Sequence, residues 1–253
     1  MKLKIHPVDH LLKDTFQTAH SKRDIQQSVI VELTERGISG YGEATANTYF
    51  GITRENIIAR IEKVRGLVEN YAWGFPEDFY SKLSVPLHGS SFPICAIAEA
   101  SYDLYGKLSG AATYNYLGLT LNDLPVSDYT IGIDTIEVMV EKINAVQWPV
   151  YKIKLGTEED IKIVKELRKH TNAAFRVDAN CGWTADETIE NSVKLAELGV
   201  EFIEQPLPKE DLKGMKKVFK YSALPLIADE SSMLESDLDK CIGCFHGINI
   251  KLT

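Results

Sequence analysis

The second half of the chain alternates short apolar runs with amphipathic stretches, and this pattern predicts a repeated strand–helix fold. Six short runs predict strands at Asp128–Ile133, Val150–Leu155, Ala174–Asp178, Val200–Glu204, Leu224–Ala228 and Gly247–Lys251. Apolar residues at helical spacing between them predict helices near 135–147, 158–170, 185–198, 209–221 and 235–242. Consecutive units of this kind are typical of a doubly wound sheet or a (β/α)₈ barrel.

The first 120 or so residues have a different rhythm, which predicts a separate α+β domain. Ser28–Leu33 is rich in β-branched residues, and Ser39–Glu43 follows it after a short turn. We expect these two segments to pair as a hairpin. Apolar residues at helical spacing predict two helices here, Asn56–Tyr71 and Pro93–Leu108.

Charged side chains at the carboxyl ends of the later strands favour a barrel. Lys152 and Lys154 lie two residues apart in one strand, so both side chains point to the same face. The following strands each carry one such residue at or near their end: Asp178, Glu204, Asp229 and Lys251. A barrel gathers its strand ends around one mouth, where barrel enzymes place their chemistry. An open sheet would spread these groups over a flat layer.

The glycine-rich phosphate loop of nucleotide-binding sheets does not follow any of the predicted strands, which also disfavours the doubly wound sheet. We therefore predict an α/β protein. An α+β domain at residues 1–122 precedes a TIM-type (β/α) barrel domain at residues 123–253, of which about six strands are present.

Three of the strand-end residues are carboxylates that would repel one another in a shared barrel mouth. Asp178, Glu204 and Asp229 come from adjacent strands, and buried charge is costly unless it is paired or bound to a metal. Oxygen ligands without Cys or His suit Mg²⁺, so the pattern predicts a magnesium site. The alternative is that each acid caps the following helix. Pro206 and Pro208 argue against capping by Glu204, because they delay the helix.

Lys154 and Lys251 come from the second and sixth predicted strands, which lie roughly opposite each other in a closed barrel. A substrate carboxylate on the metal would then have one lysine near each face of its α-carbon. A lysine that is near other cations and out of water has a lowered pKa and can act as a base near neutrality. Lys152 would add positive charge beside the same oxygens. The alternative for Lys152 and Lys154 is a solvated edge strand, where lysine is common.

Composition narrows the class of partner. The chain has 253 residues, 44% of them hydrophobic and 25% charged, which is ordinary for a globular enzyme. A formal net charge of -8 argues against nucleic-acid binding, which depends on phosphate neutralisation. The apolar runs fall short of the roughly 18 residues of a membrane helix, so we expect no membrane partner. The N-terminus lacks the long apolar run of a secretory signal, and a cytoplasmic location is predicted.

The motif Cys241-Ile242-Gly243-Cys244 has the spacing of redox and zinc sites. A zinc ribbon needs a second pair of cysteines, and the remaining two, Cys95 and Cys181, are far apart in the sequence. We therefore expect small buried thiols rather than a redox or metal site.

Five segments resemble, in order, the strand-end motifs of the enolase superfamily, and most closely those of its muconate-lactonizing subgroup. They are Tyr151–Gly156, Arg176–Asn180, Phe202–Pro206, Ala228–Ser231 and Ile250–Lys251. Gly40–Ala44 is similar to the hairpin of the family's capping domain, and Ala98–Gly110 to the helix that leads into the barrel. This resemblance implies Mg²⁺ as cofactor, with three metal ligands and two acid/base lysines: Asp178, Glu204, Asp229, Lys154 and Lys251.

By the same resemblance, Lys152 supports the developing enolate, and Asn180 and Glu230 lie beside the metal ligands. Ser127–Ile133 is similar to the first barrel strand of dipeptide epimerases of the L-Ala-D/L-Glu type, which places Thr130 towards the substrate. Phe16–Ser21 resembles the capping loop that selects the substrate side chain. Relatives that act on a C-terminal glutamate often carry Arg near the position of Ser21. The implied function is Mg²⁺-dependent epimerisation of the C-terminal residue of a dipeptide by a homo-oligomer.

Other functions stay open on the sequence. The same groups would serve muconate cycloisomerisation, o-succinylbenzoate synthesis or N-acylamino acid racemisation, because the superfamily varies its loops around one mouth. A metal-free barrel that forms a Schiff base through Lys154 or Lys251 is another candidate. The chain stops at the sixth strand, where the family carries two further strand–helix units. A shortened, non-catalytic barrel is therefore a third candidate.

Overall fold

The computed structural model describes residues 1–18, 21–122 and 124–251. It divides into two compact units. The first comprises Met1–Asp14 and Asp24–Leu124, and the second comprises Thr15–Arg23 and Pro125–Lys251. Each unit has its own cluster of buried apolar side chains.

A three-stranded sheet in the order β1-β2-β3 belongs to the first unit, apart from Thr15–Gln17 of β1 and Lys22–Arg23 of β2, which fall in the second unit. Its strands are β1 (Lys2–Gln17), β2 (Lys22–Glu35) and β3 (Ile38–Thr45). β2 and β3 are antiparallel, with Ser28 opposite Thr45 and Glu35 opposite Ile38. The predicted hairpin is therefore confirmed. β1 was not predicted, because its side chains are mostly exposed or half-buried and give little alternation of apolar and polar residues.

Four helices accompany this sheet: α1 (Arg54–Glu69), α2 (Pro76–Ser84), α3 (Ser91–Ser109) and α4 (Thr113–Tyr116). α1 and α3 correspond to the two predicted helices. The side chain of Thr53 caps α1 by accepting a hydrogen bond from the backbone N–H of Asn56, and Gly110 ends α3 in the left-handed conformation that glycine adopts easily. α2 begins at Pro76, a residue that suits the first turn of a helix.

The second unit is a parallel sheet of six strands in the sequential order β4 to β9. The strands are β4 (Tyr129–Ile131), β5 (Val150–Lys154), β6 (Ala174–Asp178), β7 (Val200–Glu204), β8 (Leu226–Ala228) and β9 (Gly247–Ile248). The helices between them are α5 (Ile136–Ala145), α6 (Asp160–Arg168), α7 (Ala185–Glu197), α8 (Leu212–Tyr221) and α9 (Leu238–Cys241). The predicted TIM-type topology with six barrel strands is confirmed.

Alternation along β5 and β6 separates a core face from a polar face. Tyr151 and Ile153 are almost fully buried, as are Phe175 and Val177 on the neighbouring strand. These apolar side chains belong to the core cluster of the unit, together with residues of the covering helices. The intervening lysines of β5 therefore point away from that core, as the strand period requires.

Cys241 and Cys244 are both buried, and neither is in a disulfide. Burial raises the pKa of each thiol, which favours the protonated form. This agrees with the expectation of small buried thiols. Among the helices of the described residues, none combines the length and apolar character needed to cross a membrane.

Candidate functional site

The register of the parallel sheet brings the strand-end residues side by side. Lys154 pairs with Asp178 between β5 and β6, and Asp178 pairs with Glu204 between β6 and β7. Paired residues of adjacent strands point to the same face of a sheet. Asp229 follows the last residue of the next strand, β8. The carboxyl ends of three neighbouring strands thus present their acids at one edge.

Asp178, Glu204 and Asp229 form a compact cluster of buried carboxylates. Each offers one oxygen, and these three oxygens all lie within 4.8 Å of one another. The three residues are 0%, 4% and 5% exposed. Within the described ranges, this is the group of His, Cys, Asp or Glu side chains that could hold a metal ion. Its donors are all oxygen, which suits a hard divalent cation.

Helix capping does not explain these acids. Thr184 caps α7 through its side chain and forms a capping box with Glu187. Asp211 caps α8 by accepting a hydrogen bond from the N–H of Gly214. The helices after β6 and β7 therefore have other caps, which leaves Asp178 and Glu204 at the strand ends with no capping role.

Three lysines surround the carboxylate cluster. Lys152 Nζ lies 2.6 Å from Glu204 Oε2 and 3.0 Å from Asp178 Oδ2. Lys154 Nζ lies 2.6 Å from Asp178 Oδ2. On the far side, Lys251 Nζ lies 2.7 Å from Asp229 Oδ1. The sheet order places the three acid-bearing strands between the strand of Lys154 and the segment of Lys251.

The electrostatics of the cluster show strong mutual influence. Burial and the negative charge of Asp178 raise the pKa of Glu204 to about 7, although Lys152 acts in the opposite direction. Burial also opposes ionisation of Asp178, but the ammonium groups of Lys154 and Lys152 outweigh it and lower the pKa of this carboxyl. The cluster thus concentrates negative charge that ammonium groups or a metal cation can neutralise.

The pKa of Lys152 reflects both its burial and the two acids beside it. Burial lowers the pKa of its ammonium group, but the charges of Asp178 and Glu204 outweigh burial and raise it. The nearest charges to this lysine are carboxylates, so the charged form is favoured. Lys152 is therefore a fixed positive charge, which agrees with an electrostatic role. It is mostly buried, so the solvated edge strand does not describe it.

Thr130 lies beside the lysines on the outer strand β4, directly opposite Lys152 in the register, and its side chain is exposed. The segment Phe16–Ser21 falls in the same unit. There, Gln17 accepts a hydrogen bond at 2.9 Å through its carbonyl oxygen from the N–H of Ile133, just beyond β4. Two residues of this segment, Ala19 and His20, lie outside the described residues.

Asn180 and Glu230, expected beside the acids, are both buried. The N–H of Asn180 donates to Asp178 Oδ1 at 2.9 Å. Burial and the charge of Asp229 raise the pKa of Glu230.

Two residues of the site were not assigned from the sequence. The Asn249 side chain donates to Glu204 Oε1 at 3.2 Å and lies 3.5 Å from Asp229 Oδ1. Its spacing of two from Lys251 was a usable signal, because alternate residues of a strand share a face. Gln205 bonds to the backbone of Asp229 at 3.0 Å. No local pattern in the sequence indicates that contact.

Comparison with known proteins agrees with this architecture and places the chain in a class. Residues 135–243 match the family described as enolase C-terminal domain-like. The L-Ala-D/L-amino acid epimerase of Flavobacterium johnsoniae is 49% identical, over 100% of this chain and 75% of the relative. The enzyme of the same name from a Maribacter species is 50% identical, over 96% of this chain and 72% of the relative.

A solved structure gives the same result. The dipeptide epimerase of Enterococcus faecalis, complexed with Mg and the dipeptide L-Leu-L-Tyr, is 30% identical with a TM-score of 0.89. The match covers 99% of this chain and 74% of that one. The chain belongs to the dipeptide epimerases of the enolase superfamily, which are isomerases.

Proposed function

We propose that this protein is a Mg²⁺-dependent dipeptide epimerase that inverts the α-carbon of the C-terminal residue through two lysines. The observation that carries the proposal is the group of three buried carboxylates within 4.8 Å of one another, with a lysine against the acid on each side. Such an arrangement suits removal of a proton beside a carboxylate and its return on the opposite face.

Asp178, Glu204 and Asp229 fit a divalent cation by their chemistry. Burying three acids close together without a metal ion disfavours their ionised forms. This effect appears in the raised pKa of Glu204. Their hard oxygen donors favour Mg²⁺ over the metals that prefer nitrogen or sulfur. When bound, Mg²⁺ would hold the negative charge that develops on the substrate carboxylate as the α-proton leaves.

The lysines divide the remaining work. Lys154 and Lys251 each serve as base for one hand of the substrate and as acid for the other. In one turnover the neutral lysine accepts the α-proton, the electron pair of the C–H bond moves towards the carboxylate, and the opposite ammonium donates a proton. Lys152 keeps a positive charge beside the acids, and we assign it to the carboxylate oxygens of the substrate.

The substrate proposed is an L-Ala-L-X dipeptide in which X is not restricted to glutamate. Two relatives of about half identity are named L-Ala-D/L-amino acid epimerases, and this supports a broad choice of X. Ser21 replaces the arginine that glutamate-specific relatives often carry. Arg23 is near, but its guanidinium stacks 5.5 Å from the centre of the Phe16 ring. Thr130 is exposed beside Lys152 and is proposed to face the substrate.

The test is exchange of the α-proton in heavy water, followed by NMR, with Mg²⁺ and a panel of L-Ala-L-X dipeptides. We expect exchange at the C-terminal α-carbon for several X, with complete loss on addition of a chelator. A matched panel of D-Ala-L-X dipeptides measures how selective the enzyme is for L-Ala over D-Ala at the first position.

Other outcomes of this experiment would indicate a different function. If the folded, Mg²⁺-bound protein exchanges no dipeptide, the epimerase proposal fails. Turnover of muconate, an o-succinylbenzoate precursor or an N-acylamino acid would then identify another reaction of the superfamily. Trapping of a carbonyl substrate by borohydride, without Mg²⁺, would indicate Schiff-base chemistry at a lysine instead.

A further inference from the structure

Gln205 follows the central carboxylate of the cluster directly and is completely buried. Its φ angle is +35°, in the left-handed region, which is unfavourable for a residue with a side chain. A buried residue in a strained conformation persists when the surroundings fix it, and such strain concentrates at functional sites. The contacts of Gln205 explain what fixes it.

The backbone of Gln205 connects the strand end of Glu204 to both neighbouring strand ends. Its N–H donates to the carbonyl oxygen of Ile227 at 2.9 Å, two residues before Asp229. Its carbonyl oxygen accepts from the N–H of Cys181 at 2.8 Å, three residues after Asp178. One residue thus links the three segments that carry the acids.

The side-chain amide of Gln205 adds a direct connection to Asp229. Its Oε1 accepts from the backbone N–H groups of Asp229 and Ser231, both at 3.0 Å. Its Nε2 donates to the carbonyl oxygen of Leu207 at 2.8 Å and to Ser231 Oγ at 2.9 Å. Both polar atoms of the amide are fully used, which fixes its orientation.

Glutamine can make all of these hydrogen bonds because its side-chain amide carries an acceptor and a donor at the same distance from the backbone. A glutamate could accept from the two backbone N–H groups, but its other oxygen would face the carbonyl of Leu207. An apolar side chain of equal length would leave the N–H of Asp229 buried without this partner.

We infer that Gln205 is the positioning residue that sets the spacing of Asp178, Glu204 and Asp229 for a divalent cation. The inference rests on the metal site of the proposed function. Gln205 acts through the backbone of the ligands and does not itself contact the reacting atoms. Groups that orient metal ligands typically contribute about 10- to 100-fold to metal affinity.

The experiment is calorimetric titration of the metal-free full chain with Mg²⁺, before and after Gln205→Met. We expect Mg²⁺ affinity to fall by about 10- to 100-fold in the variant, at a temperature where circular dichroism shows it folded. Ser192→Ala is the matched control, because it also removes a buried polar group of this unit. Ser192 Oγ bridges Ile189 and Ala223, away from the acids, so the control is expected to lose stability and keep its Mg²⁺ affinity.

Gln205→Glu separates position from charge. If negative charge near the cluster determined affinity, an added carboxylate would strengthen Mg²⁺ binding. If position determines it, the variant binds Mg²⁺ more weakly than the native protein, because the contact with Leu207 becomes repulsive. Tighter binding by Gln205→Glu would overturn the inference.

Ser231→Ala keeps the test decisive if the Gln205 variants fail to fold. It removes one hydrogen-bond partner of the Gln205 amide. We expect it to weaken Mg²⁺ binding as well, but by less than Gln205→Met does. Equal affinity in native protein and folded variants would overturn the inference for Gln205 alone. Absence of Mg²⁺ binding by the native chain would overturn it together with the proposed function, whereas Mg²⁺ binding without α-proton exchange would contradict only the latter.

Discussion

At the scale of single residues, the site is defined by ion pairs between side chains from different strands. Lys154 contacts Asp178, and Lys251 contacts Asp229, each at hydrogen-bond distance. The two lysine side chains are 12% and 35% exposed, so solvent reaches both. Removing either lysine changes one proton-transfer partner and leaves all three acids in place.

Lys154→Gln and Lys251→Gln are each expected to reduce epimerisation by at least about 10²- to 10⁴-fold, the usual range for a general acid or base. Because each lysine is proposed to act on one hand of the substrate, each variant should still exchange the α-proton of one epimer. Exchange of separate L-Ala-L-X and L-Ala-D-X samples in heavy water measures this.

Lys162→Gln is the control for these variants, since Lys162 is an exposed lysine of α6 that contacts Glu159. It should leave both rates unchanged. If Lys154→Gln and Lys251→Gln abolished exchange of the same epimer only, the assignment of one lysine to each face would be wrong.

Glu204 gives the metal-free protein a characteristic pH dependence. Its pKa is raised from 4.5 to about 7 by burial and by the charge of Asp178. The folded state therefore binds this proton more tightly than the unfolded state, and the resulting stabilisation is complete below pH 4.5 and lost as pH rises through about 7. We expect the free energy of unfolding to fall by on the order of 3 kcal/mol over this window.

Urea unfolding in the presence of chelator, from pH 4.5 to 8, measures this loss. Glu204→Gln removes this titrating group and should reduce the fall, while Glu230, whose pKa is also raised by burial and by the charge of Asp229, keeps the remainder. Glu32 of the first unit does not interfere, because hydrogen bonds from His6 and Ser39 lower its pKa to about 2. Its stabilising contribution is lost only below that window. A native chain whose stability rises between pH 5 and 7 would contradict the assignment.

At the scale of elements, the first unit depends on a close approach between β3 and α3. A Cβ atom on Gly42 would collide with the carbonyl oxygen of Ala96 and the nitrogen of Ala100. The helix also supplies two carboxylates to the strand. Asp103 accepts from the N–H of Tyr41 at 2.8 Å, and Glu99 accepts from the N–H of Glu43 at 2.9 Å.

Gly42→Ala is expected to destabilise the protein by about 1–3 kcal/mol or more, because the added methyl group meets backbone atoms that cannot rotate away. Gly66→Ala is the contrasting control, since Gly66 lies inside α1 with open space around its Cβ position. It should stabilise the protein by about 0.5–1 kcal/mol through helix propensity. Chemical unfolding of both variants tests the pair; a neutral Gly42→Ala would show that the sheet and helix can separate without cost.

The observed strands and helices also show which element bounds the sequence patterns could predict. β6 and β7 occupy the predicted Ala174–Asp178 and Val200–Glu204, because buried apolar residues recur along each short segment and an acid marks its end. β4, β8 and β9 are shorter than predicted, since apolar residues continue beyond the hydrogen-bonded ladder. The short helix α2 was missed because nine residues give too few turns for a periodic signal.

For the site, convergence of the three acids was predictable because parallel strands end at one edge of a sheet. The role of Gln205 was not, since its partners are backbone groups of distant residues. The double pairing of Lys152 with Asp178 and Glu204 was not predicted either. Burial lowers the pKa of this lysine, but the charges of the two acids outweigh burial and raise it.

At the scale of the whole molecule, the net charge of -8 coexists with a site that is proposed to bind an anionic substrate. The three acids concentrate negative charge that a cation can neutralise, and the three lysines place positive charge around them. The central claim is that an α-proton leaves to one lysine and a different proton returns from the other.

The most direct test of that claim is the isotopic content of the first product molecules. L-Ala-L-X is incubated in heavy water with the native chain and Mg²⁺, and the newly formed L-Ala-D-X is analysed by NMR and mass spectrometry at low conversion. Two lysines predict that every molecule of the new epimer carries deuterium at its α-carbon, because its proton comes from the lysine that did not receive the original one. New epimer that retains the substrate's own proton would contradict the account and indicate a single base.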